Sequence, residues 1–160
     1  MKQYLDLMVL DSRIGTEYPM PAPATPGSAG VDLRAMSCKQ QLPRERADWF
    51  LSPGERAMFG TGLAVHIAVQ DVTGIVASRS GLSLERGLRV AQGIGVIDSD
   101  YQKEIGVILH NDSDEIARIE QGERIAQLLL MPVLQPMFQV VDDFAKATAR
   151  TGGFGHTGRV

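Results

Sequence analysis

The stretch that best indicates the fold runs from Arg89 to Leu109 and reads RVAQGIGVIDSDYQKEIGVIL. Its two apolar segments, residues 89–97 and 104–109, are rich in the branched side chains that favour β-strands. The acidic triplet from Asp98 to Asp100 separates them and is typical of a tight turn. The pattern therefore predicts a β-hairpin with carboxylates at its tip.

Short apolar segments bounded by turn residues recur along the rest of the chain. Residues 83–88 alone have helical character, for one or two turns at most. The other segments read as strands: residues 5–10, 31–35, 56–59, 63–67, 74–78 and 125–134. Many short strands with frequent turns predict an all-β fold, a distorted jelly roll or β-barrel with at most one short helix and a glycine-rich C-terminal tail.

Length and charge narrow the class of protein. The 160 residues are expected to form a single domain. With 16 basic and 19 acidic side chains, the formal charge of −3 argues against a general nucleic-acid binder. Cys38 is the only cysteine, which fits a reduced, cytoplasmic setting. The longest apolar run, residues 128–133, is too short to cross a membrane, so we expect no membrane partner.

The tail carries four glycines around one aromatic residue, Phe154, between Gly152 and Gly158. Because glycine loses the most conformational freedom on ordering, such a segment is expected to be mobile until it meets a ligand. Its backbone N–H groups suit phosphate oxygens, and the aromatic ring suits a flat base. We therefore expect a β body over residues 1–149 and a mobile lid over residues 150–160.

Three segments could carry chemistry, and each has a simpler reading when taken alone. Arg79, Ser80 and Gly81 follow a strand and precede the short helix, which suits an anion site, but taken alone a capped turn with a solvated arginine is the favoured interpretation. Asp98 could accept a proton from water, or it could be an ordinary turn residue. Residues 122–127 could be a plain turn leading into a strand, and His66, His110 and His156 lack metal-ligand spacing.

The order of these segments resembles the five motifs of the trimeric deoxyuridine triphosphatases (dUTPases). Five ordered motifs are hard to obtain by chance, and the resemblance covers almost the whole chain. The matching segments are residues 29–35 (AGVDLRA), 79–82 (RSGL), 95–101 (GVIDSDY), 122–127 (GERIAQ) and 152–158 (GGFGHTG).

This resemblance implies hydrolysis of dUTP to dUMP and pyrophosphate, with Mg²⁺ on the triphosphate. Asp98 would activate the water that attacks the α-phosphorus. Phosphate oxygens would be held by Arg79, Ser80, Gly81 and Gln127. Asp32 would either steer a metal-bound water or brace the site, and the sequence leaves these two roles equal.

Base and sugar selection would come from the hairpin. Backbone groups near Gln92 and Gly106 would read the pairing edge of uracil, and Val96 and Ile97 belong to the same substrate-binding hairpin. Tyr101 would pack beneath the deoxyribose and exclude a 2′-hydroxyl.

The family resemblance also implies a homotrimer in which the tail of one subunit closes a site formed by the other two. Phe154 would stack on uracil. The tail residues that would meet the phosphates are Arg150, Gly155, Thr157 and Arg159.

Four positions depart from the family pattern. Ser78 replaces the usual proline, and Lys103 replaces a glycine, where a positive φ would strain a lysine. Gln92 stands where asparagine is common, and Ala149 stands where an arginine is usual, with Arg150 one position later. We expect activity to survive, with a softer turn at Ser78 and weaker triphosphate binding.

Two alternatives remain open. A dCTP deaminase shares the architecture, although the Asp-Ser-Asp-Tyr sequence suits the hydrolase better. A regulatory module could keep the nucleotide pocket with little catalysis and contact a protein partner. The polar stretch of residues 39–50 would supply that contact surface, with Trp49 and Phe50 folded back onto the body.

Overall fold

A computed structural model of the chain describes residues 5–41, 47–146 and 148. These residues form β-strands and one short helix in the following order: β1 (Asp6–Val9), β2 (Gly30–Arg34), β3 (Ser37–Cys38), β4 (Asp48–Leu51), β5 (Arg56–His66), β6 (Val72–Ser78), α1 (Ser80–Arg86), β7 (Leu88–Val90), β8 (Ile94–Ile97), β9 (Glu104–Asn111), β10 (Ala117–Glu120) and β11 (Arg124–Pro132). The all-β prediction is confirmed, and α1 begins three residues earlier than predicted.

The strands form two main antiparallel sheets. The first sheet has the order β1-β5-β9-β7, with β3 also paired to β5, and the second has the order β2-β11-β6-β8. A small third pair joins β4 to β10. Non-consecutive strands lie side by side in both main sheets, as is typical of a jelly roll.

The core contains large apolar side chains from all three sheets. Phe59 and Leu109 come from the first sheet, Leu33 and Ile125 from the second, and all four are fully buried. Trp49 of β4 is also fully buried and meets the Phe59 ring edge-on, with centroids 5.6 Å apart. Because these side chains interlock, the sheets are held in fixed relative positions.

The expectation that both aromatic residues of the polar stretch 39–50 fold back onto the body is partly corrected. Trp49 folds into the core as expected, but Phe50 is 47% exposed, because successive residues of a strand point to opposite faces. Residues 42–46 lie outside the described residues.

The predicted strand over residues 89–97 is wrong, because the chain turns at Gly93. The Gly93 N–H donates to the Val90 carbonyl across this turn, at 3.1 Å. β7 then pairs with β9 in the first sheet, whereas β8 pairs with β6 in the second. Residues 98–103 therefore form a connection between sheets, and Asp98 lies in this connection instead of at a simple hairpin tip. We call residues 98–103 the acidic loop.

Among the described residues, no helix is long and apolar enough to span a lipid bilayer. The helix α1 has seven residues and buries only Leu82.

Candidate functional site

A carboxylate joins two arginines at one end of the second sheet. Arg79 Nε donates to Asp32 Oδ1 at 3.0 Å, and Arg124 Nη1 donates to Asp32 Oδ2 at 3.1 Å. Arg79 Nη1 also donates to the Arg124 carbonyl at 3.1 Å. Both oxygens of Asp32 are thus engaged by guanidinium groups, and a net positive charge is fixed at the surface. We call these three residues the arginine cluster.

Strand register explains why Arg79 and Arg124, which are 47 and 92 positions away from Asp32 in the sequence, both reach its carboxylate. Asp32 of β2 stands opposite Gln127 of β11, and Gln127 stands opposite Ala77 of β6. Opposite residues of antiparallel strands point to the same face. The Gln127 side chain bridges to the neighbouring strand, with Nε2 donating to the Ser78 carbonyl at 3.0 Å. Gln127 therefore supports the turn that carries Arg79.

Ser78 fixes the same turn from its other side. Its hydroxyl oxygen accepts the Val90 N–H at 2.8 Å, so it ties the end of β6 to β7. This is a bond that a proline side chain could not make. Because Ser78 is bonded through both its hydroxyl and its carbonyl, these contacts oppose the softer turn expected from the sequence.

The start of α1 lies next to the arginine cluster. Ser80 and Gly81 are exposed, and no side chain caps the helix. The first N–H groups of a helix have no carbonyl partner within it, so they are available to an anion. Arg79, Ser80 and Gly81 together combine a charged side chain with free amides, which is chemistry that suits phosphate oxygens.

The acidic loop holds Asp98 and Tyr101 in a defined relationship. Asp98 is exposed, and its carbonyl accepts the Tyr101 N–H at 3.1 Å. The Tyr101 hydroxyl donates to the Glu104 carbonyl at 2.9 Å, and the residue is 36% exposed. Lys103 does not have a positive φ, so the strain considered from the sequence does not arise.

The strands β7 and β9 separate beside Gln92. Val90 pairs with Leu109, and the Ala91 N–H still donates to the Ile108 carbonyl at 2.8 Å. Beyond that point the segments after β7 and before β9's Ile108 diverge. Among the described residues, Gly106 pairs only with Gly60 of β5, on the other edge of β9. Gln92 is exposed at the mouth of this opening. Backbone groups of β9 on this side are thus not used in pairing with β7, at the place where the sequence predicts contact with the base.

Val96 and Ile97 point in opposite directions from β8. Val96 is 59% exposed on the outer face of the second sheet, whereas Ile97 is 8% exposed in the core. The Ile97 carbonyl accepts the Thr73 hydroxyl at 2.8 Å. Any contact of Ile97 with a ligand would therefore come from its backbone.

The predicted site residues form two groups within one chain. β8 runs antiparallel to β6, and Ile97 stands opposite Gly74, so Asp98 lies beside the start of β6. Arg79 follows the other end of that strand. Six residues of strand at about 3.3 Å each separate the two by about 20 Å. This separation exceeds the reach of one catalytic constellation.

Two cavities reflect the same division. A cleft of about 770 Å³ is lined by Asp98, Ser99 and Asp100 together with Thr73 and His66. A smaller cavity of about 250 Å³ lies beside Asp32 and Arg124. Neither is lined by both Asp98 and Arg79.

The predicted contacts of the C-terminal tail lie outside the described residues. The tail residues Arg150, Phe154, Gly155, Thr157 and Arg159 all belong to the part that the structure does not describe. Within residues 5–41, 47–146 and 148, no group of three His, Cys, Asp or Glu side chains could hold a metal ion.

Shifted pKa values occur away from the arginine cluster and the acidic loop. A hydrogen bond from the Arg13 guanidinium lowers the pKa of Asp11, and one from Arg89 lowers that of Asp112.

Sequence reasoning did not assign a role to Arg124, although it lies in the segment 122–127. Its pairing with Asp32 depends on the β2–β11 register, for which the local sequence carries no signal.

Comparison with known proteins identifies the family of the chain. The sequence profile of the dUTPase family matches residues 16–158. Deoxyuridine 5′-triphosphate nucleotidohydrolase from Shewanella halifaxensis is 45% identical over 158 residues, and that from Aeromonas hydrophila subsp. hydrophila is 44% identical over 159, each with 99% of both chains covered. The Staphylococcus bacteriophage 80alpha dUTPase G164S mutant with dUpNHpp superimposes with a TM-score of 0.80 at 26% identity, covering 98% of this chain and 99% of the other. The chain belongs to the dUTPase family.

Proposed function

We propose that this chain hydrolyses dUTP to dUMP and pyrophosphate, which removes dUTP from the nucleotide pool and supplies dUMP. The observation that carries the proposal is that the chain has both an oriented arginine at the start of α1, Arg79, and an exposed carboxylate, Asp98, at opposite ends of β6. Relatives that are 44–45% identical over 99% of the chain carry the name of this nucleotidohydrolase. A nucleotide hydrolase is therefore the enzyme class that fits best.

Asp98 would act as the general base. Its carboxylate would take a proton from a water molecule as the water oxygen attacks the α-phosphorus, and the bond from that phosphorus to the bridging oxygen would break. Pyrophosphate would leave with the electron pair of that bond. General-base assistance of this kind is typically worth about 10²–10⁴ in rate. The exposure of Asp98 keeps it open to a ligand and to solvent.

The negative charge of the phosphates would be met by Arg79, Ser80 and Gly81. Asp32 orients Arg79 through its Nε, and the Arg79 side chain, which is 30% exposed, would meet phosphate oxygens through its remaining N–H groups. Gln127 would support the same turn from β11. Donors that are already in place when charge develops lower the barrier without reorganisation.

Magnesium belongs to the proposal as a companion of the substrate. Mg²⁺ keeps several waters and is usually bound through phosphates and one or two carboxylates, so the ion would be carried mainly by the triphosphate. When bound, it would neutralise the triphosphate and orient its oxygens. Both oxygens of Asp32 are paired with arginines, which supports the bracing role over steering a metal-bound water.

Selection of the base and sugar is assigned to the opening between β7 and β9. Backbone groups near Gln92 and Gly106 would pair with uracil. Cytosine would leave buried polar groups unpaired, which can discriminate by about 10⁴ or more. Tyr101 would pack against the deoxyribose and leave no space for a 2′-hydroxyl.

The separation of Asp98 from Arg79 supports a site built between chains. In this proposal Asp98 of one subunit faces Arg79 of another, and the tail over residues 150–160 of a third closes the site as a lid. A homotrimer is the assembly that the family resemblance implies. Each chain would contribute as one domain with a body over residues 1–149.

Exposed apolar surface supports such self-association. On the outer face of the second sheet, Ile94 is 52%, Val96 59% and Met131 49% exposed. Strand register places these side chains on one face with Ile75, Ala77 and Leu129. Large apolar side chains are exposed again along the chain that follows β11, at Leu134, Met137, Phe138, Val140 and Phe144. Surfaces of this kind mark interaction sites.

The single cysteine, Cys38, is buried and unpaired, which suits a reducing compartment such as the cytoplasm.

The deciding experiment incubates the purified full-length protein with nucleotide and MgCl₂. Release of pyrophosphate from dUTP, with UTP and dCTP as poor substrates, is the expected result. Ammonia released from dCTP would instead identify a deaminase, and dUTP binding without turnover would identify a regulatory module. Either of these results would refute the proposed hydrolysis.

A further inference from the structure

A bulge in β5 faces the start of β9. This segment lies between Tyr101 and Gly106, the candidates for sugar and base selection. Between the pairs Gly60–Gly106 and Ala64–Glu104, β5 contributes three residues and β9 contributes only Ile105. Regular ladder bonds cannot form across such a mismatch. We call residues 60–64 the β5 bulge.

Two side-chain bonds replace the missing ladder. The Gly62 N–H donates to Glu104 Oε1 at 2.9 Å, and the Thr61 hydroxyl donates to the Ile105 carbonyl at 2.8 Å. Thr61 is fully buried. Buried bonds of this kind are costly to leave unmade, so they fix the first two residues of β9 against β5.

The fit of the Glu104 carboxylate depends on the absence of a side chain at Gly60. A Cβ added there would lie 2.6 Å from Glu104 Oε1. The Glu104 carboxylate therefore lies directly beside the backbone of the β5 bulge, in space that it shares with Ser37 Oγ, 2.5 Å from such a Cβ.

The β5 bulge is held from its other side as well. The Gly60 carbonyl accepts the Met36 N–H at 2.9 Å, and the Gly62 carbonyl accepts the Leu10 N–H at 2.8 Å. The groups that bind Glu104 and Ile105 are thus part of a rigid platform, with bonds on both edges of β5.

The fixed segment lies directly between Tyr101 and Gly106. The carbonyl of Glu104 accepts the Tyr101 hydroxyl at 2.9 Å, and Gly106 follows Glu104 by two residues. Any shift of Glu104 would move the acceptor that holds the Tyr101 ring, together with the start of the open edge of β9.

We propose that Glu104 is a positioning residue for substrate selection, assisted by Thr61, and that its contact with the β5 bulge sets discrimination between dUTP and UTP. This inference rests on the proposed function, since it assigns a cause to the selectivity of that same site. Glu104 acts through Tyr101, whose ring must stay close to the sugar to exclude a 2′-hydroxyl. Its role is therefore in geometry and not in the chemical step.

The test compares kcat/KM for dUTP and UTP in three variants and the wild type. Glu104→Leu removes the acceptor for the Gly62 N–H, whereas Glu104→Gln retains an oxygen that can accept it. Thr61→Val keeps the side-chain shape but removes the hydroxyl donor. We expect the dUTP/UTP ratio to fall about tenfold in Glu104→Leu, to fall in the same direction in Thr61→Val, and to be restored in Glu104→Gln.

Glu55→Leu is the matched control at the far end of the same strand pair. Glu55 Oε2 accepts the Ser52 N–H at 2.8 Å, so this variant also loses a carboxylate–amide bond, but away from Tyr101. It should lower the melting temperature without changing the ratio. Equal losses of kcat/KM on both nucleotides in Glu104→Leu and Thr61→Val would show a merely structural role and overturn the inference.

Binding measurements keep this result separate from the proposed hydrolysis. Calorimetry with non-hydrolysable dUTP and UTP analogues gives a separate ratio, that of the two dissociation constants, without turnover. If the wild type binds dUTP selectively but does not cleave it, the proposed function fails while the role of Glu104 is still decided by its variants. If Glu104→Leu does not fold, Thr61→Val decides, and an unchanged ratio in that variant overturns the inference.

Discussion

Asp98 and Arg79 lie at opposite ends of β6, about 20 Å apart along the strand. The first is the candidate general base and the second the candidate phosphate-binding side chain. In the proposed mechanism, a single chain therefore presents two half-sites, and exposed apolar surface lies on the outer face of the second sheet. The family to which the chain belongs and this separation together favour a catalyst whose site is completed by neighbouring copies.

Replacing Asp98 with asparagine tests its role in proton transfer. Asp98→Asn keeps the size of the side chain but removes the base, so we expect turnover to fall by at least about 10²-fold. Binding of a non-hydrolysable dUTP analogue, measured by calorimetry, should be retained. Asp100→Asn is a suitable control, because it makes the same change two residues away in the acidic loop. Turnover unchanged in Asp98→Asn would remove this residue from the mechanism.

Replacing Asp32 with asparagine tests the arginine cluster. Asp32→Asn leaves Arg79 and Arg124 close together without the carboxylate that joins them. We expect kcat/KM for dUTP to fall about 10- to 100-fold through loss of Arg79 orientation, with little change in melting temperature, because surface ion pairs contribute little stability. The control is Asp48→Asn, which breaks the pair of Asp48 with Arg118 at 2.8 Å, away from the arginine cluster. Equal activity in the two variants would contradict the role of Asp32.

Removing residues 150–160 tests the lid. Because these residues lie outside the β body in our proposal, the truncated protein should melt within a few degrees of the wild type. Turnover should fall far more than stability, since closure excludes water from the site. A fully active truncated protein would refute the lid.

Replacing Gly122 with alanine tests the turn before β11. Gly122 has a φ of 79°, and an added Cβ would lie 1.9 Å from the Tyr18 ring. We expect a loss of about 2–4 kcal/mol in the free energy of unfolding, from backbone strain and overpacking together. Gly54→Ala separates the two causes, because Gly54 has a φ of 74° and no atom within 4 Å of an added Cβ. Chemical denaturation that gave the same loss for both variants would show that the contact with Tyr18 is unimportant.

Local sequence patterns predicted the all-β class but not where strands join or break. The stretch of residues 89–97 looked continuous, yet its two halves enter different sheets at the Gly93 turn. Conversely, residues 56–59 and 63–67 read as two separate strands, yet β5 runs through both. The Gly62 N–H donates to the Glu104 carboxylate, and the Thr61 hydroxyl donates to the Ile105 carbonyl. These bonds join residues 42 and 44 positions apart and hold β5 against β9. Such long-range contacts leave no periodic signal.

The sequence motifs indicated the candidate site residues but not the contacts among them. Asp98, Arg79 and Tyr101 are candidates because they belong to ordered segments of a recognisable family. The pairing of Asp32 with Arg79 and Arg124 depends on the β2–β11–β6 register, which is a property of the folded sheet. The position of Glu104 likewise became meaningful only when the β5 bulge was seen opposite it.

Subunit complementation tests most directly whether dUTP is hydrolysed at a site shared between chains. Asp98→Asn and Arg79→Ala proteins are each prepared and shown to be inactive. They are then unfolded and refolded together in equal amounts. Native mass spectrometry verifies mixed assemblies of about three times the 17.4 kDa chain mass. If Asp98 and Arg79 of one site come from different chains, about a quarter of the sites in a random mixture carry both intact residues. The account predicts recovery of about that fraction of wild-type pyrophosphate release. Mixed assemblies that form but remain inactive would contradict it.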